Sequence, residues 1–323
     1  DAEHTMLMRY RKMYDQCKLK NGLTIIGERL PHFRSISVGV WISAGSQYES
    51  REENGLSHFL EHMLFKGTEK RTARQIAEEM DAVGGQLNAF TAKECTCFYA
   101  KTVDEHLPLA MDVIADLVTA ASFDPVEMEK EKGVVIEEIA MTEDSPEDIV
   151  FDRASEQLFK GTPIESEILG TEQTVKKLSR GDLIRYMQTH YTAENIVIAV
   201  AGSFDRDSLI ALLERSFQTV PHSERHHTPS VSMLPGFRTA MVKKDVEQIN
   251  LCLALPGAAL GTDAYFAQAV LSNAIGGSMS SRLFQKIREE RGLAYSVYSY
   301  PMAYRGAGSI CFYAGCTEGQ AEE

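Results

Sequence analysis

The sequence predicts an α+β fold made of two homologous units, each an α/β roll in which an antiparallel sheet packs against helices. Two observations support this prediction. Alternating, β-branched strand patterns follow amphipathic helix patterns along the chain. After a proline-containing segment at residues 221–237, the order strand, helix, helix, strand, strand of the first part recurs. The pattern stops after Cys316 without the helices that close the first unit, so we expect the second unit to be incomplete at its C-terminus.

The first unit is predicted to open with strands in the region 18–45 and to continue as alternating helices and strands. Gly84 and Gly85 end one helix, while Asp124 and Pro125 provide an N-cap and a first-turn proline for the longest one. The predicted helices cover residues 55–66, 72–85, 105–123, 125–143, 144–159 and 205–217. The remaining predicted strands are a hairpin over 86–103 and a buried strand over 195–204.

The segment 221–237 is interpreted as an interdomain linker, because it is polar and lacks periodicity. His226 and His227 lie in it, and a solvated loop pair is favoured there over a metal-binding pair. The second unit then has predicted strands over 239–257, 294–304 and 306–316 and predicted helices over 263–277 and 280–292. The predicted domains are an extension or tag at 1–12, a first domain at 13–220, the linker at 221–237 and a second domain at 238–323, with Met13 as a candidate natural start.

Composition excludes several classes of protein. The chain has 323 residues and a net charge of −13, which disfavours nucleic acid and anionic membranes as partners. No apolar run reaches the length of a membrane span, and the acidic N-terminus is not typical of a signal peptide. Six cysteines without a C-x-x-C pair indicate reduced thiols in a cytosolic protein, acting mainly as small buried side chains.

Two histidines and a glutamate fall within five residues of the stretch NGLSHFLEHMLFKG. On a helix, His58 and His62 lie one above the other on one face, and Glu61 borders that face. The other positions are apolar, so these polar side chains would be buried and would need partners. Imidazole is a good zinc ligand, and the i, i+4 spacing lets two rings reach one ion. Histidines that bond only to neighbouring side chains are the alternative.

A catalytic zinc site needs a third protein ligand and one open position. Glu131 and Glu138 lie two turns apart on the longest predicted helix and share a face, whereas Glu137 points away and is predicted to be solvated. On this helix alone, a solvated charged face is the alternative. Together with the histidine motif, Glu131 and Glu138 are interpreted as residues of a metal site.

The arrangement His58-x-x-Glu61-His62, followed much later by Glu138, resembles the inverted zinc-motif peptidases. These form the pitrilysin and insulin-degrading-enzyme superfamily, peptidase family M16, and the chain is most similar to short bacterial members of its mitochondrial-processing-peptidase-like branch. The resemblance extends to the stretches GGQLNAFTAKECTCFYAK, EKEKGVVIEEIAMTEDSPEDIV, ILGTEQTV and GGSMSSRLFQKIREERGLAYSVYSY, and it covers nearly everything from Cys17 to Cys316.

This resemblance implies that His58, His62 and Glu138 bind one Zn²⁺ per chain. It implies that Glu61 is the general base that takes a proton from the water activated by the metal, and that Glu131 supports catalysis near the metal. The domain at 13–220 is then the zinc-binding catalytic domain, and the one at 238–323 contributes to substrate binding.

The hairpin resembles the edge strand on which these enzymes bind an extended peptide as an added strand. The residues carried over as substrate contacts are Asn88, Ala89, Phe90 and Thr91. An ordinary half-buried strand is the alternative for this hairpin.

Arg288 and Tyr295 of the second unit match an arginine and tyrosine pair that the family brings to the active site from its other domain. A guanidinium and a phenol can donate hydrogen bonds to an oxyanion and to the substrate backbone. A surface arginine and a tyrosine packed in the sheet are the alternative interpretation.

The resemblance therefore implies a zinc metalloendopeptidase that hydrolyses unstructured peptides in a chamber between two domains. The alternative is a non-catalytic binding or scaffold subunit of the same superfamily. A structural zinc site is excluded by its need for four Cys or His ligands. The expected partners are unfolded peptides, without nucleic acid or membrane, and a cytoplasmic bacterial location and a homodimer complete the predictions.

Overall fold

The computed structural model describes residues 14–224, 227–233 and 235–323. The predictions for residues 1–12, Met13 and His226 lie outside the described residues. The chain divides into two compact units. One contains the described part of Asp1–Ile136 together with Ile168–Thr228, and the other contains Glu137–Glu167 and the described part of Pro229–Glu323.

A six-stranded sheet forms the frame of the first unit. Its strands are β1 (Tyr14–Lys18), β2 (Thr24–Arg29), β3 (Ser35–Ile42), β4 (Gln86–Thr91), β5 (Thr96–Val103) and β6 (Ile196–Gly202). Their spatial order is β1-β2-β6-β3-β5-β4, and every pair is antiparallel except β2 with β6. Within the described chain β4 therefore pairs only with β5, which makes it an edge strand.

The helices up to residue 216 are α1 (Leu56–Leu64), α2 (Ala73–Asp81), α3 (Leu107–Ala120), α4 (Pro125–Asp144), α5 (Pro146–Phe159), α6 (Glu172–Lys177), α7 (Arg180–His190) and α8 (Arg206–Ser216). Alternate residues of β3, among them Val38 and Val40, are buried on the side of the sheet covered by α3. The division between the units falls within α4, which runs unbroken from Pro125 to Asp144.

The second unit contains a three-stranded antiparallel sheet of order β7-β9-β8. Its elements are β7 (Ile249–Gly257), α9 (Asp263–Gly276), a π-helical segment (Phe284–Glu290), β8 (Ser296–Ala303) and β9 (Gly308–Cys316). The Ser272 hydroxyl of α9 lies 3.1 Å from that of Ser299 on β8, and the Phe151 ring of α5 packs against Tyr300 and Tyr313. Helices thus pack against both sides of this sheet, in agreement with the predicted α+β rolls.

Several element predictions were wrong. The strand predicted from residue 239 begins only at Ile249, because the charged residues around Lys243 and Lys244 offer no apolar face to bury. The first strand begins at Tyr14 rather than at 18, and the helix predicted over 280–292 is π-helical from Phe284. Helices α6 and α7 were not predicted, although each begins with a capping box, at Thr171 and at Ser179.

No helix in the described part of the chain is both long enough and apolar enough to cross a membrane.

Candidate active site

Helix α1 is buried on nearly all sides and carries the histidine motif. Leu56, Phe59 and Leu60 are completely buried. His58 and His62 lie on the remaining edge with their ring centroids 4.6 Å apart and their planes inclined by 64°. The apolar packing therefore fixes the direction in which the two imidazoles point.

Helix α4 brings a carboxylate to this pair. Ligand atoms of His58, His62 and Glu138 all lie within 4.8 Å of one another. Two imidazoles and one carboxylate are the donor set of many catalytic zinc sites, and three protein ligands leave a coordination position open. The residues present therefore fit a zinc ion.

Glu131 lies two turns before Glu138 on α4 and contacts His62, a candidate ligand. Its Oε1 is 2.8 Å from His62 Nδ1, and its Oε2 is 2.6 Å from Lys66 Nζ. A proton on His62 Nδ1 that is donated to Glu131 leaves Nε2 with its lone pair for a metal. Burial opposes ionisation of Glu131, but the hydrogen bonds from His62 and Lys66 outweigh it and lower the pKa of this carboxyl group.

His58 is in the protonation state that metal binding requires. Burial, together with the neighbouring His62, lowers the pKa of His58 to about 4. Its imidazole is therefore neutral near pH 7, and a neutral ring can donate a lone pair to a metal.

The predicted base Glu61 lies on α1 and its side chain reaches the edge strand β4. The Thr91 hydroxyl of β4 donates a hydrogen bond to Glu61, with Oγ1 and Oε2 2.5 Å apart. Thr91 was predicted to contact substrate, and in the structure its side chain holds Glu61. Sequence spacing could not reveal this contact, because it joins residues of two different elements.

The other predicted residues of β4 point to opposite sides of the sheet. Ala89 shares the side of Thr91, whereas Asn88 and Phe90 are exposed on the other side. The Phe90 ring meets that of Trp41 edge-on, with centroids 5.6 Å apart, at a groove of about 800 Å³ that Tyr99 also lines. Their roles as substrate contacts stay predictions.

Arg288 and Tyr295 are brought together within the second unit. The Arg288 guanidinium lies 4.3 Å from the centre of the Tyr295 ring and 4.6 Å from that of Phe284. Tyr295 is 75% exposed, so it does not pack inside the sheet. The pair is thus accessible, and its role at the active site stays a prediction.

Sequence reasoning missed Lys66 and Tyr191. Lys66 is four residues after His62, and this spacing could have suggested that it lies beside the candidate ligands. Tyr191 is buried directly after α7, and its burial raises the pKa of the phenol far above the ordinary value, with Glu61 adding to the increase. No local pattern connects Tyr191 with the motif.

The fold and the donor set together define a class: an α+β chain with a His-x-x-Glu-His helix and a distant glutamate, the arrangement found in inverted-motif metallopeptidases. The profile described as Insulinase (Peptidase family M16) matches residues 24–172. The profile described as Peptidase M16 inactive domain matches residues 177–323. The chain belongs to peptidase family M16, which confirms the predicted family and fold.

Curated relatives are named as zinc proteases. The chain is 45% identical over 306 residues to the "Uncharacterized zinc protease YmxG" of Bacillus subtilis (strain 168), covering 94% of this chain and 74% of that protein. It is 40% identical over 312 residues to the "Uncharacterized zinc protease SCO5738" of Streptomyces coelicolor, covering 94% and 68%.

A solved structure has the same fold. The crystal structure of a protease from Helicobacter pylori matches with a TM-score of 0.89 and 24% identity, covering 94% of this chain and 75% of that one. At this identity the match supports the fold alone.

Proposed function

We propose that this chain is a zinc-dependent metalloendopeptidase that hydrolyses unstructured peptides. The observation that carries the proposal is the group of His58, His62 and Glu138, whose ligand atoms lie within 4.8 Å of one another beside Glu61. Peptidase family M16 and the zinc proteases among the relatives support the same activity.

In the proposed site, different residues bind the metal and transfer the proton. A zinc ion bound there, one per chain, would lower the pKa of a water molecule towards 7 and polarise the scissile carbonyl. Glu61 takes the proton of the attacking water and passes it to the leaving amine. Glu131 holds His62 in the tautomer that leaves Nε2 free, and Lys66 holds Glu131 in turn.

Strand β4 is the proposed place for the substrate. Its outer edge has no partner strand in the described part of the chain, so an extended peptide can pair with its main chain. Because main-chain pairing requires an extended segment, the proposed substrates are unstructured. The proposed contacts are Asn88, Ala89, Phe90 and Thr91, with Arg288 and Tyr295 as further donors to the bound peptide.

Hydrolysis of an unstructured, fluorescence-quenched peptide tests the function. We expect Glu61→Gln to lower kcat by at least about 10²-fold at equal bound zinc, because the proton acceptor is lost while the ligands remain. Glu52→Gln is the control, since Glu52 is an exposed carboxylate close in sequence. Zinc content is measured on every sample, and one ion per chain is expected.

Other outcomes distinguish the alternatives. Equal rates in wild type and Glu61→Gln would contradict the mechanism. A wild type that binds peptides without cleaving them would indicate a non-catalytic binding subunit. The profile described as an inactive domain begins at residue 177, after all three candidate ligands, so it does not argue that these residues are inactive. A homodimer and a cytoplasmic location stay predictions.

A further inference from the structure

The helix that carries both histidines begins without a capping side chain of its own. The residue before Leu56 is Gly55, whose φ of +93° lies in the left-handed region and which has no side-chain oxygen. The N–H groups of a first helical turn have no partners within the helix and need acceptors from elsewhere. Helix α1 therefore depends on another residue at its N-terminus.

Glu49 supplies these acceptors from outside the motif. Its Oε1 accepts a hydrogen bond from the Ser57 backbone N–H at 2.6 Å, and its Oε2 accepts from the Gly55 N–H at 2.8 Å. Oε2 also accepts from Asn54 Nδ2 at 3.1 Å. A carboxylate at this end of a helix is also favoured by the helix dipole. Burial raises the pKa of Glu49, and these hydrogen bonds oppose the rise.

The same turn is held from a second direction. The Ser57 hydroxyl lies 2.8 Å from the hydroxyl of Tyr186 on α7, which donates to the Gly45 carbonyl at 3.2 Å. A Cβ at Gly55 would lie only 2.5 Å from the Leu169 carbonyl oxygen, so the backbone at Gly55 packs closely against the backbone at Leu169. The backbone directly before His58 is thus fixed by hydrogen bonds on one side and by packing on the other.

This fixation matters because His58 follows Ser57 directly, while Glu138 lies on a different helix. A rotation or shift of the first turn of α1 would move His58 relative to Glu138 and His62. Metal ligands tolerate little displacement, and residues that orient them are commonly needed for full affinity. Glu49 accepts its hydrogen bonds from Asn54, Gly55 and Ser57, so it acts through the backbone of the turn.

We propose that Glu49 is a positioning residue for the metal centre, which sets His58 by holding the first turn of α1 through its two carboxylate oxygens. The part that concerns peptide hydrolysis rests on the proposed function, whereas the part that concerns metal binding does not.

The test compares Glu49→Ala and Glu49→Gln with wild type in the full chain. Zinc affinity is measured by competition with a chromophoric chelator, and melting temperatures are measured with and without zinc. We expect Glu49→Ala to weaken zinc binding about tenfold or more and to lower kcat at saturating zinc with little change in KM. Glu49→Gln keeps one acceptor oxygen and should recover part of the affinity.

Asp205→Ala is the matched control. Asp205 caps α8 by accepting from the Ser208 N–H at 2.9 Å, so its loss also removes a helix cap, but on a helix without metal ligands. We expect it to lower the melting temperature while zinc affinity stays at the wild-type value.

Equal zinc affinity and kcat in Glu49→Ala and wild type would overturn the proposal and leave Glu49 as a cap only. If Glu49→Ala does not fold, Glu49→Gln decides: a fall in zinc affinity of about threefold or more supports the proposal, and an unchanged affinity overturns it. A wild type that binds zinc but cleaves no peptide would contradict the proposed function and would leave the zinc comparison valid.

Discussion

The two units contain the same series of elements, but the helix that follows the first of the compared strands carries different side chains in each unit. In the first, β3 is followed by α1, α2, β4 and β5, and the three strands lie in the order β3-β5-β4. In the second, β7 is followed by α9, a π-helical segment, β8 and β9, in the order β7-β9-β8. Helix α1 carries His58 and His62, whereas the sequence has no histidine after His227.

The helices also begin differently. Helix α9 is capped by its own Thr262, which accepts from the Tyr265 N–H at 3.2 Å, whereas α1 relies on Glu49. The fold alone therefore does not provide a metal site. The histidine pair and the carboxylate that caps its helix are features of α1 and the segment before it, and the second sheet has no counterpart to them in its own helix α9.

The largest expected effect comes from the proposed ligand on α4. Glu138→Gln should remove most of the bound zinc and reduce hydrolysis by about 10³-fold or more, because an amide is a much weaker ligand for the ion than a carboxylate. Zinc content and peptide hydrolysis are measured on the same samples. Glu137→Gln is the matched control, since Glu137 is the exposed neighbour. Normal zinc binding in Glu138→Gln would exclude Glu138 as a ligand.

An intermediate effect is expected on the pH dependence of stability in the zinc-free protein. His58 has an ordinary pKa of 6.5 when unfolded and about 4 when folded, so between these values the unfolded chain binds more protons. Stability is therefore full above pH 6.5 and falls by about 3 kcal/mol as the pH drops to 4.

Thermal melting between pH 4 and 7 measures this contribution of His58 to the stability. His58→Gln should remove the His58 contribution, and His32→Gln should not, because His32 is exposed. Identical pH profiles for wild type and His58→Gln would show that His58 is not held neutral by burial.

The smallest expected effect tests whether the second unit contributes to substrate binding. Arg288→Ala should lower kcat/KM by about tenfold, roughly 1.4 kcal/mol, through the loss of one hydrogen-bond donor. Zinc affinity should not change. Arg282→Ala, an exposed arginine just before the same helical segment, is the control. Equal kcat/KM for Arg288→Ala and wild type would show that Arg288 does not contribute to substrate binding.

Much of this arrangement could be predicted from sequence because its signals are periodic. The spacing of His58, Glu61 and His62 predicts one helix edge, and the separation of Glu131 and Glu138 predicts one face of α4. Both helices form as predicted, and the family and fold predictions are confirmed.

The remaining contacts depend on tertiary structure. Glu49, Thr91 and Tyr191 reach the site from other elements, and no periodicity links them to α1. The error over 239–248 has a different origin: alternating residues can satisfy a strand pattern, but a strand also needs a partner and an apolar face. The presence of a partner strand cannot be read from a short window of sequence.

The position of Glu138 on α4 also has a consequence for folding. Between α1 and α4 the chain forms α2, β4, β5 and α3. An ion held by His62 and Glu138 would act as a cross-link that closes this long loop of chain, and such a cross-link stabilises the folded state by reducing the freedom of the unfolded one. A metal ion bound for catalysis would thus also stabilise the folded arrangement of the four elements between its ligands.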